Sequence, residues 1–401
     1  MSSEYQEQDS ARGPIEMLRE VGRKLAQGEA GTLLVLLMVA AIWTFFQFQN
    51  HRFLSPGNLT NLMLQQAAVA TISIGVVLIL LLGWIDLSVG AVSGLCASVM
   101  AVLVVKQHVA PELTVLAALV LGALIGLFNG VMSTRFRIPA FIVTLAGSLT
   151  LVGLQLYVLG ETGTVNLRDS FITRLTGTFF PPVIGWSFAA LAIVLAAAFE
   201  ISGRAHRRRS GLPVPNIRTP LFRISAIAVA FGAMVFVVNQ DRGLPLVVVI
   251  VFALTLAVAY LTERTRFGRH LFAVGGNAEA ARRAGIKIDH VRVIAFVLCS
   301  TLASLGGVLA ASRLLAVNQS SGASDLVLMA IAGPVVAGTS LFGGRGSAWT
   351  AILGAVVIGS IANGMNLLAF PSSVKFIVTG AVLIAAVTIE SITRMQRQRK
   401  R

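Results

Sequence analysis

Three groups of residues in this chain could do chemistry. The first is the run Gly275-Gly276-Asn277-Ala278-Glu279-Ala280-Ala281-Arg282-Arg283-Ala284-Gly285. Asn277 is a preferred helix N-cap, because its side-chain oxygen can accept from the unpaired first N–H groups. Glu279 in the first turn and Arg282 and Arg283 in the last complement the helix dipole, and Gly285 can close the helix in a left-handed conformation. These signals predict a helix of about two turns. A helix that short is unstable alone in water and must be docked against something. A surface helix on lipid headgroups is one reading, but Ala278, Ala280 and Ala281 offer lipid no bulky anchor. The other is a helix that inserts into a groove on a cytoplasmic partner.

The second group is Gly83-Trp84-Ile85-Asp86-Leu87-Ser88-Val89-Gly90, which joins two apolar runs with hardly any connection. Asp86 or Ser88 can cap the second run, since so tight a turn leaves its first N–H groups unpaired. Alternatively, Asp86 belongs to a cytoplasmic-side gate, or to an ion pair with the connection from Arg135 to Arg137. The third group is polar residues inside apolar runs: Gln65, Gln66, Asn129, Thr144, Gln155, Asn363 and Asn366. Polar groups there are costly unless they face protein or water, so they point inward. They either bond between helices, at about 0.6 to 2 kcal/mol each, or line a path for a polar solute.

Other chemistry is missing. No G-x-x-x-x-G-K-[ST] run exists to bind a nucleotide. Glu200, Asp325 and Glu390 stand at the ends of apolar runs, and the five histidines fall in connections, which disfavours a proton relay, a metal centre or intramembrane hydrolysis. Cys96 and Cys299 lie inside apolar runs and form no disulfide framework or zinc cluster. No cofactor is expected. A chain of this kind draws its energy from another subunit, and an ATPase is the partner that the short capped helix would serve.

The elements that position these groups follow from composition. Of 401 residues, 56% are hydrophobic and only 12% charged, with a mean hydropathy of +0.82, so a soluble enzyme or DNA-binding protein is excluded. A crossing of the roughly 30 Å hydrocarbon core takes about 20 apolar residues in helical form. Twelve runs qualify as spans, at 31–49, 62–83, 87–105, 113–133, 138–159, 183–201, 224–239, 245–261, 293–312, 326–341, 349–369 and 375–391. The expected fold is an all-α polytopic membrane protein of about twelve transmembrane helices, its first run an anchor rather than a cleaved signal.

Orientation follows from the cations. The N-terminal tail 1–30, the basic loop 203–223, the connection 262–292 and the tail 392–401 hold 22 of the 32 Lys and Arg residues. With twelve spans all four face the cytoplasm, as positively charged connections should. The permease-like body is then 31–391, with both termini inside and the connections at 160–182 and 313–325 outside. The net charge of +15 is therefore read as a topology signal, not as a nucleic-acid surface.

The chain also echoes itself. Residues 121–130 read LGALIGLFNG and 353–364 read LGAVVIGSIANG, and Phe-Ile-Val-Thr follows each, at 141–144 and 376–379. On the topology above the two copies run in opposite directions, as in the inverted repeats of transporters. Chance likeness between helices rich in small residues is the alternative. Gly122, Gly126, Gly354 and Gly359 would allow close helix packing in either case.

The run HLFAVGGNAEAARRAGIKIDHVRVIAFVLCSTLASLGGVLAASRL, with GWIDLSVGAV at 83–92, IPAFIVTLAG at 138–147 and AGTSLFGGRGS at 337–347, resembles the permeases of bacterial ATP-binding-cassette monosaccharide importers. Ribose and xylose permeases are the nearest members by resemblance, and the extra segment at about 183–240 is similar to xylose permeases. The resemblance implies a homodimer in the inner membrane, an ATPase subunit and a periplasmic sugar-binding protein. It implies that Gly275, Gly276, Asn277, Glu279, Ala280, Ala281, Arg282, Arg283 and Gly285 form the coupling helix that docks the ATPase. Xylose is the leading cargo. Another sugar, a nucleoside or a signalling molecule carried by the same family, and a self-sufficient secondary carrier, are the alternatives.

Overall fold

In a computed structural model, residues 31–211 and 218–399 are described. The N-terminal tail 1–30, the middle of the 203–223 loop and the last two residues lie outside them. Fifteen helices are described: α1 (Gly31–Gln49), α2 (Pro56–Leu81), α3 (Val89–Val105), α4 (Pro111–Arg135), α5 (Ala140–Leu159), α6 (Phe171–Gly177), α7 (Pro182–Arg209), α8 (Arg218–Asn239), α9 (Leu246–Arg264), α10 (Arg266–Gly276), α11 (Ala278–Arg283), α12 (Ile288–Leu314), α13 (Ser324–Val336), α14 (Trp349–Leu367) and α15 (Ser372–Arg399). Each of the twelve expected runs falls on one of them. Seven are long and apolar enough to cross a membrane, and five shorter apolar helices accompany them among the described residues.

The tenth run is a correction. The expected span 326–341 is a helix of 13 residues, about 20 Å long, too short to cross the hydrocarbon core. It carries Pro334 near its end and stops at Val336, while apolar composition continues through Leu341 without helical structure. The connection 160–182 is also more ordered than expected. Strand β1 (Thr164–Asn166), helix α6 and strand β2 (Phe179–Phe180) occupy it. Ser170 and Thr173 form a capping box that starts α6. The basic connections are largely helical too, with α7 running to Arg209 and α15 to Arg399.

Helix α2 is apolar on all sides and buried nearly throughout, as a helix enclosed by others must be. It packs on α12 with backbones in contact: Gly75 lies against Cys299, and Gly306 against Ala68 and Ile72. The two therefore run antiparallel. Helix α4 lies on α12 through Gly122, Gly126 and Gly130, and α14 lies on α2 through Gly359. Helix α3 flanks α12, as α13 flanks α2, and α3 packs on α4 as α13 packs on α14. The block α2–α5 is thus repeated in inverted sense by α12–α15, as a two-fold axis within the membrane requires. The two sequence echoes are its α4/α14 and α5/α15 members.

Two small antiparallel ladders identify one face. Strand β1 pairs with β4 (Ala316–Asn318), and β2 pairs with β3 (Leu244–Pro245). They gather the C-terminal ends of α5, α8 and α12. Helix α11 lies at the opposite end of α12, together with the C-terminal ends of α2 and α10.

Candidate functional site

Helix α11 is built as its local sequence dictates. Asn277 sits in extended conformation and its side chain accepts from the Ala280 N–H at 2.9 Å. At the other end the Gly285 N–H donates to the Arg282 carbonyl at 3.0 Å and the Ile286 N–H to the Ala281 carbonyl at 3.1 Å. Gly285 is left-handed, with φ +81°, which completes a Schellman motif. Glu279 and Arg283 form an exposed ion pair one turn apart, an arrangement that adds only about 0.3 to 0.5 kcal/mol.

Two expectations for this segment are corrected. Gly275 and Gly276 are the last turn of α10, not part of the short helix α11. The short helix also does not need a foreign partner to exist, because Ala281 is buried against its own chain between α10 and α12. What remains for a partner is the exposed side, with Asn277, Glu279, Ala280, Arg282 and Arg283.

Behind α11 the main chain of three segments meets without side chains between them. A Cβ on Gly275 would stand 1.7 Å from the Leu81 carbonyl oxygen, at the end of α2. The same carbonyl accepts from the Gly344 N–H at 2.9 Å. Gly83 (φ +73°) faces the Phe342 carbonyl, and Gly343 (φ +85°) faces the Gly275 carbonyl. These contacts join α10 and the segment carrying α11 directly to the α2–α3 turn and to the 338–348 loop. The sequence quoted above contains these glycines, but nothing local reveals that they touch.

The α2–α3 turn holds Asp86, which is almost wholly buried. Its Oδ1 accepts from the Ser88 N–H at 2.8 Å and from the Ser88 hydroxyl at 2.6 Å. Asn129 on α4 donates to Ser88 Oγ at 3.1 Å, and Thr144 Oγ1 on α5 accepts from the Leu87 N–H at 3.2 Å. Burial pushes the Asp86 carboxyl above the usual carboxylate range, against the opposing pull of the Ser88 hydrogen bonds. The ion pair with Arg135 or Arg137, one of the alternatives for Asp86, does not form, and no cation pairs with Asp86 among the described residues. Nor does Ser88, although it is the N-cap of α3, make a side-chain cap bond. Asp86 instead closes the turn from two residues upstream.

The amides do not share one path. Asn129 and Thr144 join the Asp86 turn. Farther along α5, Gln155 donates to the carbonyls of Asn318 at 3.1 Å and Ser321 at 2.9 Å, tying α5 to the non-helical stretch before α13. Asn363 exchanges two hydrogen bonds with Asn58 on α2, 2.8 and 3.1 Å. Gln66 packs on Gly359, and Gln65 is half-buried on the same helix. Asn366 stands exposed near the end of α14 and accepts from Lys375. The partners seen for Asn129, Thr144, Gln155, Asn363 and Asn366 are protein groups.

Asp86→Asn is expected to leave folding and transport near native. The amide oxygen can accept both Ser88 bonds, and Oδ2, which the amide nitrogen replaces, has no partner among the described residues. Asp86→Leu removes the acceptor and leaves the buried Ser88 N–H unpaired, a loss of about 1 to 3 kcal/mol. Thermal melts of the purified variants measure the difference. Lost uptake by Asp86→Asn with an unchanged melt would instead identify a gate.

A polytopic all-α bundle with inverted halves is the architecture of a membrane permease. The chain belongs to the permease family of ATP-binding-cassette importers: residues 58–387 match the family described as branched-chain amino acid transport system / permease component. It is similar to the xylose transport system permease protein XylH of Escherichia coli K12, 33% identical over 366 residues that cover 90% of this chain and 93% of that protein. XylH of Haemophilus influenzae is 30% identical over 92% of this chain and 98% of its own length. The ribose import permease protein RbsC of E. coli K12 is 30% identical over 90% and 94%. No solved structure matches. Membership makes the chain a multi-pass membrane protein that works with an ATPase and a periplasmic binding protein, and not itself an enzyme.

Proposed function

We propose that this permease moves xylose inward as one of two identical copies, with α11 as the element that docks the ATPase. The observation that carries the proposal is α11 itself. It is capped at both ends, it projects an exposed polar face, and it is tied through Gly275 to the end of the most buried helix of the bundle. A push on α11 therefore reaches α2 without a compliant side chain between them. Xylose is supported by similarity to XylH over nine-tenths of the chain, and by the added pair α7 and α8 that the sequence shares in kind with xylose permeases. The resemblance supports the homodimer. An inner-face position for α11 and both termini is supported by 22 of the 32 cations lying in segments assigned to that side. The body 31–391 then acts as the permease unit, with 262–292 as its coupling connection.

Proteoliposomes test the whole reading. Uptake of labelled xylose should require the ATPase subunit, the binding protein and ATP together, and unlabelled ribose should compete weakly. Uptake by the permease alone on a proton or sodium gradient would identify a secondary carrier, and stronger competition by ribose would reassign the cargo.

A further inference from the structure

Beside α11 lies a cavity of about 560 Å3 whose lining shares only Arg282 with the face offered to the ATPase. It lies between the α2–α3 turn, the end of α4, the α4–α5 connection, α11 and the start of α12. Arg137, Arg282 and Arg292 line it from three different elements, against a single carboxylate, Asp289. No ion pair neutralises any of these arginines among the described residues. The Arg292 guanidinium is stacked 4.3 Å over the Trp84 ring, and its Nε is buried without an acceptor among the described residues. Ser133 is 5% exposed, lines the same cavity, and its hydroxyl is buried with no partner among the described residues. Arg137 is held in the left-handed region, φ 56°, a conformation that costs a non-glycine residue about 1 kcal/mol or more and tends to persist where a function requires it.

Buried donors without acceptors are uncommon, because each forfeits its solvation. Here two of them belong to residues that line a space shared by three guanidinium groups, which are shaped for oxyanions that accept several bonds at once. We propose that this cavity binds a phosphomonoester, with Arg137, Arg282 and Arg292 on the phosphate and Ser133 and Asp289 on neighbouring hydroxyls. The volume exceeds what one carboxylate side chain of a docked protein would fill. It suits a phosphorylated polyol, or the phosphomonoester headgroup of phosphatidic acid. A ligand there bridges α11 to the α2–α3 and α4–α5 turns and fixes elements that must shift when α11 is pushed. Bound phosphomonoester therefore slows ATP-driven uptake. That consequence rests on the coupling reading above, whereas binding itself does not.

Binding is measured first, on the full-length permease in nanodiscs of phosphatidylcholine, by calorimetry with ribose 5-phosphate, inorganic phosphate and unphosphorylated ribose. Ribose 5-phosphate should bind, inorganic phosphate should compete, and ribose should not bind. Arg137→Gln should weaken ribose 5-phosphate about tenfold, the equivalent of one charge-assisted hydrogen-bonding group. Ser133→Ala, a smaller change in case the arginine variant folds poorly, should weaken it by a lesser factor. Nanodiscs with phosphatidic acid, whose headgroup is itself a phosphomonoester, separate the two sources of phosphate: an Arg137-dependent loss of ribose 5-phosphate binding assigns the cavity to the lipid headgroup. No binding of ribose 5-phosphate or inorganic phosphate in phosphatidylcholine, or equal affinity in both variants, overturns the proposal. Loss of binding once the ATPase is added also overturns it, because the ATPase would then be the occupant. Intact binding with no effect on uptake in the complete importer leaves the site standing and counts against the coupling reading alone.

Discussion

Replacing Gly275 with alanine is expected to abolish most transport while Gly276→Ala, one residue away, leaves it near native. The added methyl of the first variant would stand 1.7 Å from the Leu81 carbonyl oxygen and 2.9 Å from the Gly344 nitrogen. Both are main-chain atoms, so no rotamer change relieves the overlap. Either α10 retreats from the end of α2, or the Gly344 N–H loses its bond to that carbonyl, 2.9 Å in the native chain. Overpacking of this kind costs about 3 kcal/mol. Charged against the docked arrangement of α10, that cost lowers its population by about a hundredfold. A methyl on Gly276 meets nothing within 4 Å and adds only helix propensity. Uptake per inserted permease, normalised by quantitative immunoblot, measures the contrast. Equal uptake by the two variants would show that the glycine contact carries no force. Loss of insertion by Gly275→Ala would mean that the contact serves folding instead.

This contact marks the boundary of what could be read from the chain itself. The caps of α11 were legible, because Asn277, Glu279, Arg282, Arg283 and Gly285 act within one another's reach and need no tertiary context. The contact that ties the α10–α11 segment to the end of α2 was not, because Gly275 meets Leu81 and Gly344 across large stretches of sequence and glycine leaves no pattern of its own. Most helices coincide with apolar runs because lipid leaves the backbone no other choice. Helix α13 departs from this because hydropathy reports what a segment tolerates, not whether it is coiled. Pro334 and the left-handed Gly338, Gly343 and Gly344 break a stretch that remains apolar enough to be taken for a span. The repeat was visible only at α4/α14 and α5/α15, where small residues are kept at crossings. Its extension to α2/α12 and α3/α13 lies in the packing. The amides were recognisable as inward-facing, but their partners were not. Gln155 spends its side chain on main-chain carbonyls of Asn318 and Ser321, which no side-chain pattern encodes.

Ala281→Asp is expected to detach the ATPase while the permease still inserts. Ala281 is the buried residue of α11, and Ala278, partly buried, packs against the same core. A carboxylate there must either lie buried and unpaired, at several kcal/mol, or lift α11 off its seat. The second is cheaper, since a six-residue helix held at one buried position has little else to lose. Spans and topology signals are untouched, so membrane yield should stay near native. Ala281→Ser keeps the volume nearly unchanged, can bond within its own turn and should retain partner binding. Co-purification of the ATPase with each variant, at equal permease load, separates them. If Ala281→Asp still holds the ATPase and transports, the exposed face of α11 is not the docking surface, and force must reach α2 by another route. If Ala281→Ser also loses the partner, the burial of Ala281 in the free chain is not what seats the helix, and the two caps alone must be credited with its order.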